Sequence, residues 1–149
     1  LLPFGRYMAP DADSPTLSMN TIGRNQSRLV RVRASANFSP WFSGHKIGDC
    51  YTVPISHGEG RFLCRRELLD ALAASGQIAM QYADLDGKPT MDIDFNPSGS
   101  AWAVEALTSP DGRVMGRMGH AERMLDHLYQ NVPHGGRDPM FRAAVGYFG

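Results

Sequence analysis

Residues 100–123, SAWAVEALTSPDGRVMGRMGHAER, carry two short apolar runs on either side of Pro110-Asp111-Gly112 and end on a histidine two places before a glutamate. Pro, Asp and Gly in that order are turn chemistry, so the runs are expected to fold back on each other as antiparallel strands. Directly after them, ERMLDHLYQN (122–131) has the spacing of an amphipathic helix. The period therefore changes between Gly119 and Glu122. Residues two apart share a face in extended chain but not in a helix, so His120 and Glu122 can touch only if the helix starts at about Glu122 or later. A histidine held by a carboxylate has one tautomer fixed and one ring nitrogen left for proton transfer. A structural reading fits the same spacing: Glu122 caps or pre-charges the helix N-terminus, and His120 sits in the turn.

Outward from this stretch the periodicity stays mixed. QSRLVRVRAS (26–35) alternates imperfectly and predicts a strand with arginines on its polar side. CYTVPIS (50–56) predicts a second strand, which Pro54 marks as an edge or an end. RRELLDALAASG (65–76) has Leu68, Leu69 and Leu72 at helical spacing and Gly76 as a stop. QIAMQYADLDGKPTMDIDFN (77–96) alternates, turns at Asp86-Gly87 and resumes, which predicts a hairpin with Asp92 and Asp94 on one strand face. DPMFRAAVGYF (138–148) predicts a last helix after the breaker VPHGGRDP. By pattern alone this is a mixed α/β or α+β domain with hairpins.

Composition narrows the function. Fifteen basic residues balance fifteen acidic ones among 149, which removes the argument for a nucleic-acid or anionic-membrane partner. No apolar run approaches the length of a membrane span. Two cysteines, Cys50 and Cys64, exclude a disulfide scaffold and a four-cysteine zinc site, and fit a reducing, cytoplasmic setting. His127 and the Asp92/Asp94 pair do not match a metal-ligand spacing, so no metal site is expected. ISHGEGRF (55–62) sets His57 and Glu59 among glycines just after a strand, as a loop would need to bring backbone N–H groups close to a small ligand. A Gly-rich turn with incidental polar residues is the structural alternative.

Together LLPFGRY, NTIGRNQSRLVRVRASANFSPW, PISHGEGRF, NPSGS, TSPDGRVMGRMGHAER and the closing YF resemble the C-terminal part of the class I glutamine amidotransferase domain of the phosphoribosylformylglycinamidine synthase family, in its large single-chain form. The resemblance runs in order across nearly the whole chain. It implies an α/β, three-layer domain with a mixed, mostly parallel sheet, of which residues 1–149 would be the C-terminal portion. It also implies an activity: glutamine is hydrolysed to ammonia, which a separate synthetase domain uses in the ATP-dependent conversion of formylglycinamide ribonucleotide to formylglycinamidine ribonucleotide in purine biosynthesis. No cofactor is implied in this chain, since ATP and magnesium belong to the synthetase domain. The partners implied are glutamine and the remainder of the same polypeptide.

The family's glutaminase uses a Cys-His-Glu triad whose last two members lie in an H-x-E segment, matched by His120-Ala121-Glu122. The resemblance makes His120 the general base and acid and Glu122 its orienter. His57, Gly58, Glu59 and Gly60 match a loop placed near the glutamine pocket. Gly119 and Ala121 depart from relatives that carry proline on either side of the histidine. The G-x-C-x-G elbow that carries the nucleophile has no match in this chain, and its place in the family lies shortly before the segment matching LLPFGRY. The chain is therefore expected to be a piece of a longer protein and inactive alone. Two other functions stay open: a self-contained cysteine hydrolase using Cys64 or Cys50 with His120, and a non-catalytic module whose Gly-rich loop holds a small ligand.

Overall fold

A computed structural model describes residues 14–125, 128–129, 131–132 and 137–149. Strand β1 (Thr16–Ser18) pairs with β4 (Arg61–Leu63), while β2 (Gln26–Ala34), β3 (Cys50–His57), β5 (Ile78–Tyr82), β6 (Val104–Thr108) and β7 (Met115–Arg117) form a five-stranded sheet in the order β3-β2-β5-β6-β7. Helix α1 (Arg66–Ala74) lies between β4 and β5, and α2 (Met140–Phe148) closes the chain.

The α/β class expected from the sequence holds, but the mostly parallel sheet does not: among the described residues every strand pair is antiparallel. Parallel neighbours need a long crossover, usually helical. Here the one helix between strands leads from β4 into β5, which settles antiparallel beside β2. The hairpin read at Pro110-Asp111-Gly112 forms as β6 and β7, with Gly112 at a φ of 71°. That left-handed conformation favours a residue without Cβ. The second predicted hairpin forms only in part. A single bridge from Ala83 to Pro89 closes its turn, and Asp92 then accepts N–H groups from Asp94, Phe95 and Asn96 instead of entering a strand. Asp92 and Asp94 therefore do not share a strand face.

In β2, Val30, Val32 and Ala34 point into the main core with Val53, Ile55, Met80, Tyr82 and Ala106. Arg31 and Arg33 fall on the alternate positions with Leu29, as a period of two requires, while Arg28 shares the parity of the core valines near the start of the strand. On α1, Leu69 and Leu72 are buried against Phe62, Ile78, Val104 and Leu107, each leucine contributing about 2–3 kcal/mol by leaving water. The helix is built from good formers and stops where Gly76 takes a φ of 73° and Gln77 donates its N–H back to Leu72 at 2.9 Å.

Pro54 marks an edge, as its missing N–H requires, since β3 is the outer strand of the sheet. That edge is covered. After β7 the chain crosses to the opposite edge, where Gly119 bridges Ile55 and His120 donates its N–H to the Pro54 carbonyl at 2.8 Å. The sheet thus curls until its last strand's extension meets its first edge, and the seam read from the sequence is the point of closure.

Candidate active site

Gly119 is where the closure is tightest. Because it bridges Ile55 while its neighbour His120 supplies the bond to β3, its own N–H turns inward and donates to Glu105 Oε1 at 2.6 Å. A Cβ at this position would lie 2.6 Å from both the Glu105 carboxylate and Val53 Cγ2, so nothing larger than glycine fits without movement. The glycine that departs from the resembled family's proline therefore has a specific partner here.

His120 follows at φ −96° and ψ 80°, outside the helical region, and a single 3₁₀ turn occupies Ala121–Arg123. The amphipathic helix expected from Glu122 does not begin there, because Met124 is again non-helical at φ −94° and ψ 87°. Residues 126, 127 and 130 of that segment, including His127, lie outside the described residues. The turn brings the two side chains together, and His120 Nδ1 meets Glu122 Oε1 at 2.7 Å. Burial alone would raise the Glu122 carboxyl, but its backbone hydrogen bond and the His120 partner outweigh burial and hold it below the ordinary value. An ionised carboxylate only accepts, so the Nδ1 proton is donated to it and Nε2 becomes the nitrogen available to a reacting group. The pair is wet, with side chains 32% and 54% exposed, which fits a site open to an incoming group better than a structural ion pair.

The HGEG loop lies at the same end of β3. Its hub is Asn20, which is 2% exposed. Asn20 Nδ2 donates to the His57 and Arg24 carbonyls at 2.7 and 3.0 Å, and its Oδ1 accepts from the Gly60 N–H at 3.2 Å. With the amide so oriented, His57 Nδ1 must donate to Oδ1, at 3.0 Å. His57 Nε2 is left as a buried acceptor with no protein partner among the described residues. Burial lowers the His57 pKa, and a charge on His120 lowers it further, against an opposing hydrogen bond from its own backbone. Gly60 packs under the His57 ring where a Cβ would collide with it, and the Ser100 hydroxyl of NPSGS donates to the Gly60 carbonyl at 3.0 Å. Gly58 accepts from the Asn20 N–H, whereas Glu59 is exposed and is not drawn into the cluster.

Behind Gly119 runs a buried chain of charges. Glu105 binds Arg117 at 3.2 Å, Arg117 binds Asp138 at 2.7 Å, and Asp138 binds His45 Nε2 at 2.8 Å, with every side chain at most 4% exposed. Burial works against the Arg117 charge, but the flanking carboxylates outweigh it and keep the guanidinium above its ordinary pKa. Asp138 is likewise opposed by burial, yet His45 and Arg117 hold its carboxyl below the ordinary range. A depressed carboxylate contributes stability above its unfolded pKa and loses it as pH falls through the folded value. Asp138→Asn is therefore expected to cost about 3–5 kcal/mol at neutral pH and to flatten the loss of stability below about pH 4. Denaturant midpoints measured across that range check both effects, and a parallel offset at every pH would contradict the assignment.

Sequence reading singled out neither Asn20 nor the Glu105–Arg117–Asp138 chain. The one signal for Glu105 is an acid inside the apolar run AVEAL. The cysteines do not join the site. Cys50 starts β3, four residues before Pro54, which puts it about 13 Å along the strand from the His120 contact. Burial pushes the Cys64 thiol up, against the weaker pull of Arg65, and Cys64 packs beside Phe62 and the α1 leucines. Neither is placed as a thiolate for His120. No group of three or more His, Cys, Asp or Glu side chains converges as a metal site among the described residues. No described helix is long and apolar enough to cross a membrane.

The chain is 40% identical over 99 residues to the phosphoribosylformylglycinamidine synthase subunit PurQ of Thermomicrobium roseum, covering 66% of this chain and 41% of that protein. To the PurQ subunit of Methanococcus maripaludis it is 34% identical over 126 residues, covering 81% and 45%. It spans less than half the length of these curated relatives. The solved structure of PurLQS from Thermotoga maritima superposes with a TM-score of 0.69 at 20% identity, over 91% of this chain and 54% of that one, and shares the fold. A family model for the CobB/CobQ-like glutamine amidotransferase domain matches residues 1–148, and the chain belongs to that family.

Proposed function

We propose that this chain supplies the histidine and glutamate of a glutaminase that feeds ammonia to phosphoribosylformylglycinamidine synthase, as the C-terminal portion of the glutamine amidotransferase domain in a large single-chain form of that enzyme. The observation that carries the reading is the His120–Glu122 pair at 2.7 Å, with the carboxylate on Nδ1 and Nε2 left for a reacting group. A cysteine from outside residues 1–149 is the nucleophile. His120 takes its proton through Nε2, and the thiolate attacks the carboxamide carbon of glutamine. The imidazolium then protonates the departing nitrogen, which leaves as ammonia, and a thioester remains. Water, deprotonated by the same nitrogen, opens the thioester to glutamate and returns the proton to sulfur. Glu122 keeps the ring oriented and offsets its charge in each protonated state.

In this reading the His57–Gly60 loop borders the glutamine pocket. The ammonia is consumed by ATP-dependent amidation of formylglycinamide ribonucleotide in the synthetase part of the protein, which holds ATP and magnesium. The enzyme works in the cytoplasm. The test is glutamate release from glutamine: none is expected from residues 1–149 alone, and turnover is expected once the chain is joined to the remainder of its glutaminase domain. Turnover by residues 1–149 alone, lost in Cys64→Ser or Cys50→Ser, would replace this reading with a self-contained hydrolase.

A further inference from the structure

We infer that Glu105 is a positioning residue for His120, acting through the Gly119 N–H. This rests on the glutaminase reading above. His120 is attached to the fold by its own N–H on Pro54, by its ring on Glu122, and by the peptide that precedes it. That peptide belongs to a glycine, whose backbone is the least restrained of any residue. Left alone, Gly119 would let the histidine swing. The Glu105 carboxylate removes that freedom by accepting the Gly119 N–H at 2.6 Å, a charge-assisted bond made away from water.

The carboxylate is itself held in place. Arg117 binds it through Nε and Nη2 at 3.2 and 3.4 Å, and Arg117 is anchored at its far side by Asp138. Glu105 also lends its own carbonyl to the Met118 N–H at 3.0 Å, so β6 grips the two consecutive N–H groups that lead to His120. An acid buried this deeply carries a desolvation cost that two apolar residues would avoid. Positioning the His120 peptide accounts for its presence at this point. The groups that bear on the His120 ring are Glu122 and Arg123 on its own turn, His57 at the end of β3, and Glu105 with Arg117 behind Gly119.

Reach and charge are separable by two mild substitutions in the full-length enzyme. Glu105→Asp keeps the charge facing Arg117 but withdraws the oxygen from Gly119 by about one methylene, roughly 1.5 Å. Glu105→Gln keeps the reach and an acceptor oxygen but loses the charge. The readout is kcat and KM for glutamine, measured separately and beside the rate from added ammonia. Glu105→Asp is expected to lower kcat for glutamine about tenfold with KM and the ammonia-supported rate within about twofold, because the base is displaced from the reacting atoms while the pocket and the amidation site are kept. Glu105→Gln, which keeps the acceptor within reach of Gly119, is expected to keep kcat within about threefold. An unchanged kcat in Glu105→Asp, or a loss in Glu105→Gln as large as that in Glu105→Asp, would overturn the inference; a role in stability alone harms Glu105→Gln, which breaks the ion pair with Arg117, at least as much as Glu105→Asp. His120→Ala, assayed alongside, separates the two levels of the argument. If it keeps glutamine-dependent synthesis, the glutaminase reading itself fails and the positioning role falls with it.

Discussion

In the full-length enzyme His120→Ala is expected to lower synthesis from glutamine by about 10³-fold or more, while synthesis from added ammonia stays within about twofold. Ammonia bypasses the glutaminase and still uses the amidation site, so the two rates separate loss of the base from loss of the protein. Glu122→Gln should do less harm. The amide can still meet Nδ1 at the 2.7 Å contact, but it no longer offsets the imidazolium charge. The structural alternative, in which Glu122 serves only to cap a helix, expects a different pattern. It leaves His120→Ala nearly silent and gives Glu122 variants about one kcal/mol of lost stability with no selective loss of glutamine use. No helix begins at Glu122, and its carboxylate goes to the histidine, which already weakens that alternative. Equal losses from glutamine and from ammonia in His120→Ala would defeat the assignment.

The largest effect on stability is expected at Arg117. Arg117→Leu fills similar space but leaves Glu105 and Asp138 buried without their shared cation, at a cost of about 5 kcal/mol at neutral pH. The pH dependence should also weaken. Asp138 keeps its bond to His45 but loses the Arg117 charge, so its carboxyl is less depressed and acid removes less stability from the variant than from the wild type, where the depressed Asp138 contributes stability that is expected to be lost as pH falls. Chemical denaturation of both proteins across the mildly acidic range tests this. A variant that loses less than about 1 kcal/mol, the level of a surface pair, would mean that the charge chain contributes little to the fold.

Local chemistry was legible in the sequence wherever it was sufficient. The Pro110-Asp111-Gly112 turn, the α1 leucines with their Gly76 stop, the alternation of β2 and the edge position of Pro54 all follow from backbone preference and period, and each forms where it was read. Spacing left the His120–Glu122 contact open beside the cap reading, and the two side chains meet across a 3₁₀ turn at Ala121–Arg123 rather than along extended chain. Local reasoning failed where a period competes with a tertiary demand. The helix read from Glu122 is replaced at its start by one 3₁₀ turn, since the chain must cross the closing sheet and tie His120 to Pro54. The resumption at TMDIDF is lost because Asp92 binds its own backbone instead of a neighbouring strand. Sheet direction was misjudged too: mostly parallel pairing was an inference from resemblance, whereas pairing is set by which strands the connections allow to meet.

What only the tertiary structure decided is how partners distant in sequence converge. Glu105 reads as an odd acid in an apolar run until the curl of the sheet brings Gly119 against it. Asn20 carries no signal in the sequence, yet it binds His57, 37 positions away, and Asp138 lies 93 positions from its partner His45. A spacing of a few residues fixes geometry through the backbone alone. Across tens of residues the chain imposes almost no constraint, and burial decides instead: these polar groups have left water, each needs a partner, and the fold that closes at Gly119 is what supplies them.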